Sequence, residues 1–146
     1  MAKILVIDDD QGIRHLLDML LRYKGYHVLL AENGQKGLDL FRQERPDVIV
    51  LDLKMPDMDG LTVLRHVRSH SISQPVIIYS GAWTTKTEQQ FRALGITETV
   101  TKYCSLDHLE EAVKRALTSP NPGEVGAAGI QGNRLVINTP HGGCHE

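Results

Sequence analysis

The sequence predicts an α/β domain built on a parallel sheet with helices on both faces. Short aliphatic runs recur along the chain, and segments with helical apolar spacing separate them. The runs are continuous rather than alternating, as strands buried on both faces require. The 146 residues suffice for one domain with a sizeable core.

The first strand is the run Ile4–Ile7. Ile13, Leu16, Leu17, Leu20 and Leu21 follow at the spacing of one helix face, with Asp10 placed to cap it and Gly25 to stop it. Val28–Leu30 is the second strand. Asn33 can cap a second helix carrying Leu38 and Phe41, and Pro46 ends it. Val48–Leu51 is the third strand, followed after a loop by a helix from about Gly60 with Leu61, Leu64 and Val67. Pro75–Tyr79 is the fourth strand. A helix over about Thr84 to Leu94 is marked mainly by Phe91 and Leu94. Val100 sits in a weak fifth strand near Thr97–Thr101, and Ser105 can cap a last helix with Leu106, Leu109, Val113 and Leu117. Strands alternating with helices predict a doubly wound domain with right-handed crossovers.

Beyond Thr118 the composition changes. The stretch Ser119-Pro120-Asn121-Pro122-Gly123 is a breaker cluster and further glycines follow. The expected division is a folded domain over residues 1–118 and a Gly/Pro-rich extension or linker over 119–146. Arg134–Asn138 could form a short strand. His141, Cys144 and His145 could act as soft metal ligands, but no second ligand pair at zinc-site spacing accompanies them.

Net charge is −2, so bulk charge does not point to nucleic acid or to anionic membrane. The apolar N-terminal run is too short for a signal-peptide core or a membrane span. Two cysteines, Cys104 and Cys144, make no disulfide framework, and a cytoplasmic protein with both thiols reduced is expected.

In an open parallel sheet, ligands bind beyond the carboxyl ends of the strands. Asp8, Asp9 and Asp10 follow the first strand there, Asp52 closes the third, Ser80 the fourth and Lys102 the fifth. Helix capping accounts for Asp10 but not for the set. Clustered carboxylates repel one another unless a cation neutralises them. Oxygen-only ligands suit Mg²⁺, which keeps several waters and shares its remaining positions with phosphate. A carboxylate nucleophile, a hydroxyl, a lysine and Mg²⁺ are the parts of a phosphoryl-transfer site.

The run Ile4-Leu5-Val6-Ile7-Asp8-Asp9-Asp10 resembles the opening of response-regulator receiver domains. Asp52-Leu53-Lys54-Met55-Pro56-Asp57-Met58-Asp59-Gly60 resembles their phosphorylation segment, and Ser80-Gly81-Ala82 and Thr101-Lys102 follow in order. The resemblance covers about residues 2–118. It implies the flavodoxin-like receiver fold, with strand order 2-1-3-4-5 and five helices. It also implies that Asp52 is the phosphoacceptor and that Asp9 binds Mg²⁺ directly. Asp8 would bind it directly or through water, with Asp52 and the Lys54 backbone carbonyl as further ligands. Lys102 would pair with Asp52 and then with a phosphoryl oxygen, and Ser80 would hydrogen-bond the phosphoryl group. Lys54 and Ala82 border the site at positions that vary.

Such a protein is a signalling phosphoacceptor rather than an enzyme. Its expected partners are a sensor histidine kinase or phosphotransfer protein upstream and a protein target or a second copy downstream. Direct nucleic-acid binding and membrane insertion are not expected. No DNA-binding segment follows, so output is expected through protein contact, or the chain is part of a longer regulator.

Two positions depart from the family pattern. Tyr103 follows Lys102 where proline is usual, often in a cis bond; the bond here is either trans or strained. Thr99 stands where an aromatic ring usually carries the switch. Tyr103 is expected to share its strand face and take the ring's place. These departures favour an alternative, a receiver-like binding module that no longer depends on phosphorylation, but the intact acids, Ser80 and Lys102 speak against it. A phosphatase with an aspartyl-phosphate intermediate is a third reading, but it would want an acid two residues after Asp52, where Lys54 stands.

Overall fold

The computed structural model of the chain describes residues 1–81, 84–96 and 98–118. The elements run β1 (Lys3–Ile7), α1 (Gln11–Tyr23), β2 (His27–Ala31), α2 (Gly34–Glu44), β3 (Val48–Leu51), α3 (Gly60–His70), β4 (Val76–Ser80), α4 (Thr85–Ala93), β5 (Glu98–Thr101) and α5 (Leu106–Thr118). The strands form one parallel sheet in the order β2-β1-β3-β4-β5, as expected.

The continuous apolar runs have the expected cause. Alternate residues of each inner strand enter opposite cores. Leu5, Ile7, Ile49, Leu51 and Ile78 pack with residues of α2 and α3 and with Phe91 of α4. Ile4, Val6, Val48, Val50, Ile77 and Tyr79 face residues of α1 and α5. Neither face of a strand meets water, so neither carries a polar alternation.

The caps are local chemistry. Asp10, Asn33, Asp59 and Thr84 each accept a hydrogen bond from the backbone N–H three residues on, starting α1, α2, α3 and α4. Gly25, at φ +95°, turns the chain out of α1. Ser105 does stand just before α5, with its hydroxyl 3.3 Å from His108 Nδ1.

The residues singled out in the tail, Arg134–Asn138, His141, Cys144 and His145, lie outside the described residues, as do Ala82 and Trp83. Among the described residues no helix is long and apolar enough to cross a membrane.

Candidate functional site

The carboxyl ends of β1, β3, β4 and β5 meet at one edge of the sheet. Parallel pairing makes this inevitable: Ile7 is in register with Leu51, and Ser80 with Thr101. Residues one step past these pairs therefore share a rim. Asp8, Asp9 and Asp52 come together there, each with a carboxylate oxygen within 4.8 Å of the others. Asp8 and Asp52 are buried, and Asp9 is exposed.

Lys102 reaches into this group from the end of β5. Its Nζ lies 2.8 Å from Asp8 Oδ2 and 3.4 Å from Asp52 Oδ1. It also stands 5.9 Å from the centroid of the Tyr79 ring, within cation–π range. The Lys102–Tyr103 peptide bond is trans, so a lysine without a following proline still reaches both acids. Ser80, buried at the end of β4, is tied to the same strand end by the Lys102 N–H donating to its carbonyl at 3.1 Å. Lys54 is exposed and lines an open cleft of about 490 Å³ with Asp9, Met55, Pro56 and Asp59.

The electrostatics follow from burial. Asp52 has its pKa raised, first by desolvation and then by the Asp8 charge. Lys102 and the Leu53 N–H, which donates to Asp52 Oδ1 at 2.9 Å, pull the other way without prevailing. For Lys102 burial opposes the charge, but its bonds to Asp8 and the charges of both acids win, and its pKa is raised. One lysine is thus shared by more negative charge than it can neutralise. The donor set is carboxylate only, close-set and open to solvent at Asp9, which fits a hard divalent cation.

Three supports of the site went unread in the sequence. Arg14 Nη1 donates to the Asp8 carbonyl at 2.9 Å. The Asp10 N–H donates to Asp8 Oδ1 at 2.9 Å, which holds that carboxylate in place. Gly60 was visible only as part of a motif. A Cβ there would collide with the Asp52 carbonyl and lie 3.0 Å from Leu53 Cα. Its N–H donates to the Leu53 carbonyl at 2.8 Å, so α3 begins hard against the Asp52 segment.

Thr99 and Tyr103 do not behave as a pair. β5 stops at Thr101 and a turn follows, stapled by the Tyr103 N–H donating to Thr101 Oγ1 at 3.2 Å. Face alternation ends with the strand, so Tyr103 points out and is 84% exposed. Its ring lies over Gly81, about 3.5 Å from where a Cβ would stand. The expectation that Tyr103 fills the space beside Thr99 is therefore overturned. Thr99 is buried and its Oγ1 has no hydrogen-bond partner. Thr99→Val, which keeps the shape and removes the hydroxyl, is expected to stabilise the apo protein by about 1 kcal/mol. A urea midpoint equal to or below wild type would show that the hydroxyl is satisfied in solution.

Together these features define a class: a doubly wound α/β domain with an acidic, lysine-bridged cluster at its topological switch edge. The chain belongs to the response regulator receiver domain family, whose sequence model matches residues 4–114. It is 36% identical over 115 residues to the sporulation initiation phosphotransferase F of Bacillus subtilis, covering 79% of this chain and 93% of that protein. It is 34% identical over 139 residues to the response regulator MprA of Mycolicibacterium vanbaalenii, covering 94% of this chain and 60% of that one. Against the regulatory protein AtoC of Escherichia coli the identity is 35%, over 79% of this chain and 25% of AtoC. The chain thus spans only part of the length of these longer regulators. The chemotaxis protein CheY4 of Vibrio cholerae superposes with a TM-score of 0.76 at 30% identity, covering 80% of this chain and 99% of that one.

Proposed function

We propose that Asp52 accepts a phosphoryl group from a phosphohistidine of a sensor histidine kinase or phosphotransfer protein, and that the modified domain switches a protein-interaction surface. The observation that carries this is Lys102 spanning Asp8 and Asp52 inside a receiver fold. Asp52 Oδ1 is engaged by the Leu53 N–H and faces Lys102, which leaves Oδ2 to attack phosphorus. The new O–P bond forms as the donor's N–P bond breaks, and the electron pair leaves with the imidazole. Lys102 then has a phosphoryl oxygen to neutralise, and the Ser80 hydroxyl a second one to hydrogen-bond. Asp8, Asp9, Asp52 and the Lys54 carbonyl would hold Mg²⁺, which when bound supplies the positive charge that phosphoryl transfer requires.

Receiver domains are signalling phosphoacceptors, so self-phosphorylation from a donor and self-dephosphorylation are the only chemistry proposed. The unit proposed is residues 1–118, with 119–146 as an extension. Its place is the cytoplasm, and its output goes to a protein target or a second copy. Phosphate-specific mass analysis after acetyl phosphate and Mg²⁺ treatment tests the reading. A modified peptide containing Asp52 is expected, and no modification would reject it.

A second reading, a binding module independent of phosphorylation, draws on the small buried Thr99 and the outward Tyr103. It predicts partner binding that Asp52 phosphorylation leaves unchanged.

The metal assignment makes its own prediction. Asp9→Ala is expected to weaken Mn²⁺ or Mg²⁺ binding by about tenfold or more, because a direct carboxylate ligand is lost. The same change should leave the fold intact, since Asp9 is exposed. A paramagnetic titration with Mn²⁺ reads this; an unchanged Kd would remove Asp9 from the ligand set.

A further inference from the structure

We propose that Tyr79 is a positioning residue for Lys102: its ring face lies beside the ammonium and holds it toward Asp8 and Asp52. The consequence for phosphoryl transfer rests on the phosphoacceptor reading; the contact itself stands on geometry.

Tyr79 and Lys102 meet because β4 and β5 run in parallel. Tyr79 is in register with Val100, and both side chains enter the core beneath α1 and α5. The Lys102 N–H donates to the Ser80 carbonyl at 3.1 Å, which carries the pairing one residue beyond Thr101. Lys102 therefore leaves on the same side of the sheet as Val100, two residues before it. Its Nζ ends 5.9 Å from the centroid of the Tyr79 ring, 2.8 Å from Asp8 Oδ2 and 3.4 Å from Asp52 Oδ1.

Val76, Ile77 and Ile78 make the rest of β4 aliphatic as far as Tyr79, and packing alone would be met by another aliphatic residue there. An aromatic ring adds what an aliphatic chain lacks, a negative face that attracts a cation. Tyr79 is 3% exposed, so its ring also keeps water from that side of the ammonium. Burial holds the phenol above its ordinary pKa, and the Lys102 charge pulls against that rise. The two groups thus sense each other electrostatically.

A lysine is a point charge on a flexible four-carbon stem. In the resting site it lies closer to Asp8 than to Asp52, yet in phosphoryl transfer it must meet an oxygen attached to Asp52. A wall that limits where the ammonium can go leaves less freedom to be lost at that step. Tyr79 touches neither phosphorus nor metal in this scheme; it acts through Lys102.

The test uses the 146-residue chain with Tyr79→Phe, Tyr79→Leu and, as a packing control in the same core, Ile77→Ala. Phosphate uptake at Asp52 from acetyl phosphate with Mg²⁺ is expected to slow about fivefold at saturating donor in Tyr79→Leu, with the half-saturating donor concentration unchanged. Tyr79→Phe should stay within about twofold of wild type, since it keeps the ring face. Ile77→Ala should lower the urea midpoint but not the rate. In NMR spectra the Lys102 ε-methylene protons of wild type and Tyr79→Phe are expected upfield of those of an exposed lysine, a ring-current shift that Tyr79→Leu abolishes. A wild-type rate in Tyr79→Leu, equal slowing in Ile77→Ala, or ε-methylene resonances at the exposed-lysine position in wild type would each overturn the proposal. If Tyr79→Leu does not fold, Tyr79→Met takes its place in the same comparison. No uptake by wild type would reject the phosphoacceptor reading, while the resonance still reports the contact.

Discussion

Replacing Asp52 by asparagine is expected to reduce phosphate incorporation from acetyl phosphate to background while raising the melting temperature of the metal-free protein. The first effect follows because the amide keeps the carboxylate's shape and removes the attacking oxyanion. The second follows from the environment of Asp52, where burial and the Asp8 charge outweigh Lys102 and push its pKa up. A carboxyl group whose pKa is raised on folding binds protons more tightly in the folded state. Its ionised form therefore costs stability at neutral pH, and that cost fades as the pH falls toward 3.8. Asparagine removes the cost at every pH. A rise of a few degrees at pH 7 is expected, since about 1 kcal/mol moves a domain of this size by roughly 4 °C. The gap between variant and wild type should narrow on acidification. Thermal melts at several pH values in a metal chelator measure it; a variant that melts lower than wild type at pH 7 would mean that Lys102 dominates the site.

Lys102→Met should have the opposite sign and the larger size. The substitution keeps most of the side-chain volume and leaves Asp8 and Asp52 buried without the cation that bridges them at 2.8 and 3.4 Å. Removing one partner of a buried ion pair costs about 3–5 kcal/mol. A value at the lower end is expected, because Asp9 opens the cluster to solvent. The loss should shrink when Mg²⁺ is added, since a divalent ion can take over the neutralisation. Phosphate uptake should slow sharply, because the lysine's share of the developing phosphoryl charge has no replacement. Urea unfolding with and without Mg²⁺ separates these effects. An identical loss in both conditions would show that Lys102 acts as a packing residue and not as the counter-charge of the acids.

The effects of these variants differ in how far they could be foreseen. The place of Asp52, Asp9, Asp8, Ser80 and Lys102 at the carboxyl ends of the strands was readable, because the strand that each one closes or follows could be identified. Each strand announced itself as a continuous apolar run, so the residue after the run had a known place. Caps at Asp10 and Asn33 were readable for the same reason: they are bonds across three residues.

What could not be read was how close distant segments come. Lys102 was expected on Asp52, yet its shorter contact is with Asp8, because the Asp10 N–H and the turn after β1 aim that carboxylate inward. Tyr103 was placed on the strand face of Thr99, but β5 ends at Thr101 and the ring turns outward over Gly81. Gly60 was read only as the start of a helix and the end of a motif, and its close approach to the Asp52 carbonyl was not foreseen. Arg68 was not singled out at all, and its guanidinium bonds to carbonyls 26 and 27 residues away. Periodicity and spacing encode which face a residue takes and which strand end it follows. Distances between segments are set only when the helices pack on the sheet, where a few tenths of an ångström decide which oxygen meets which cation.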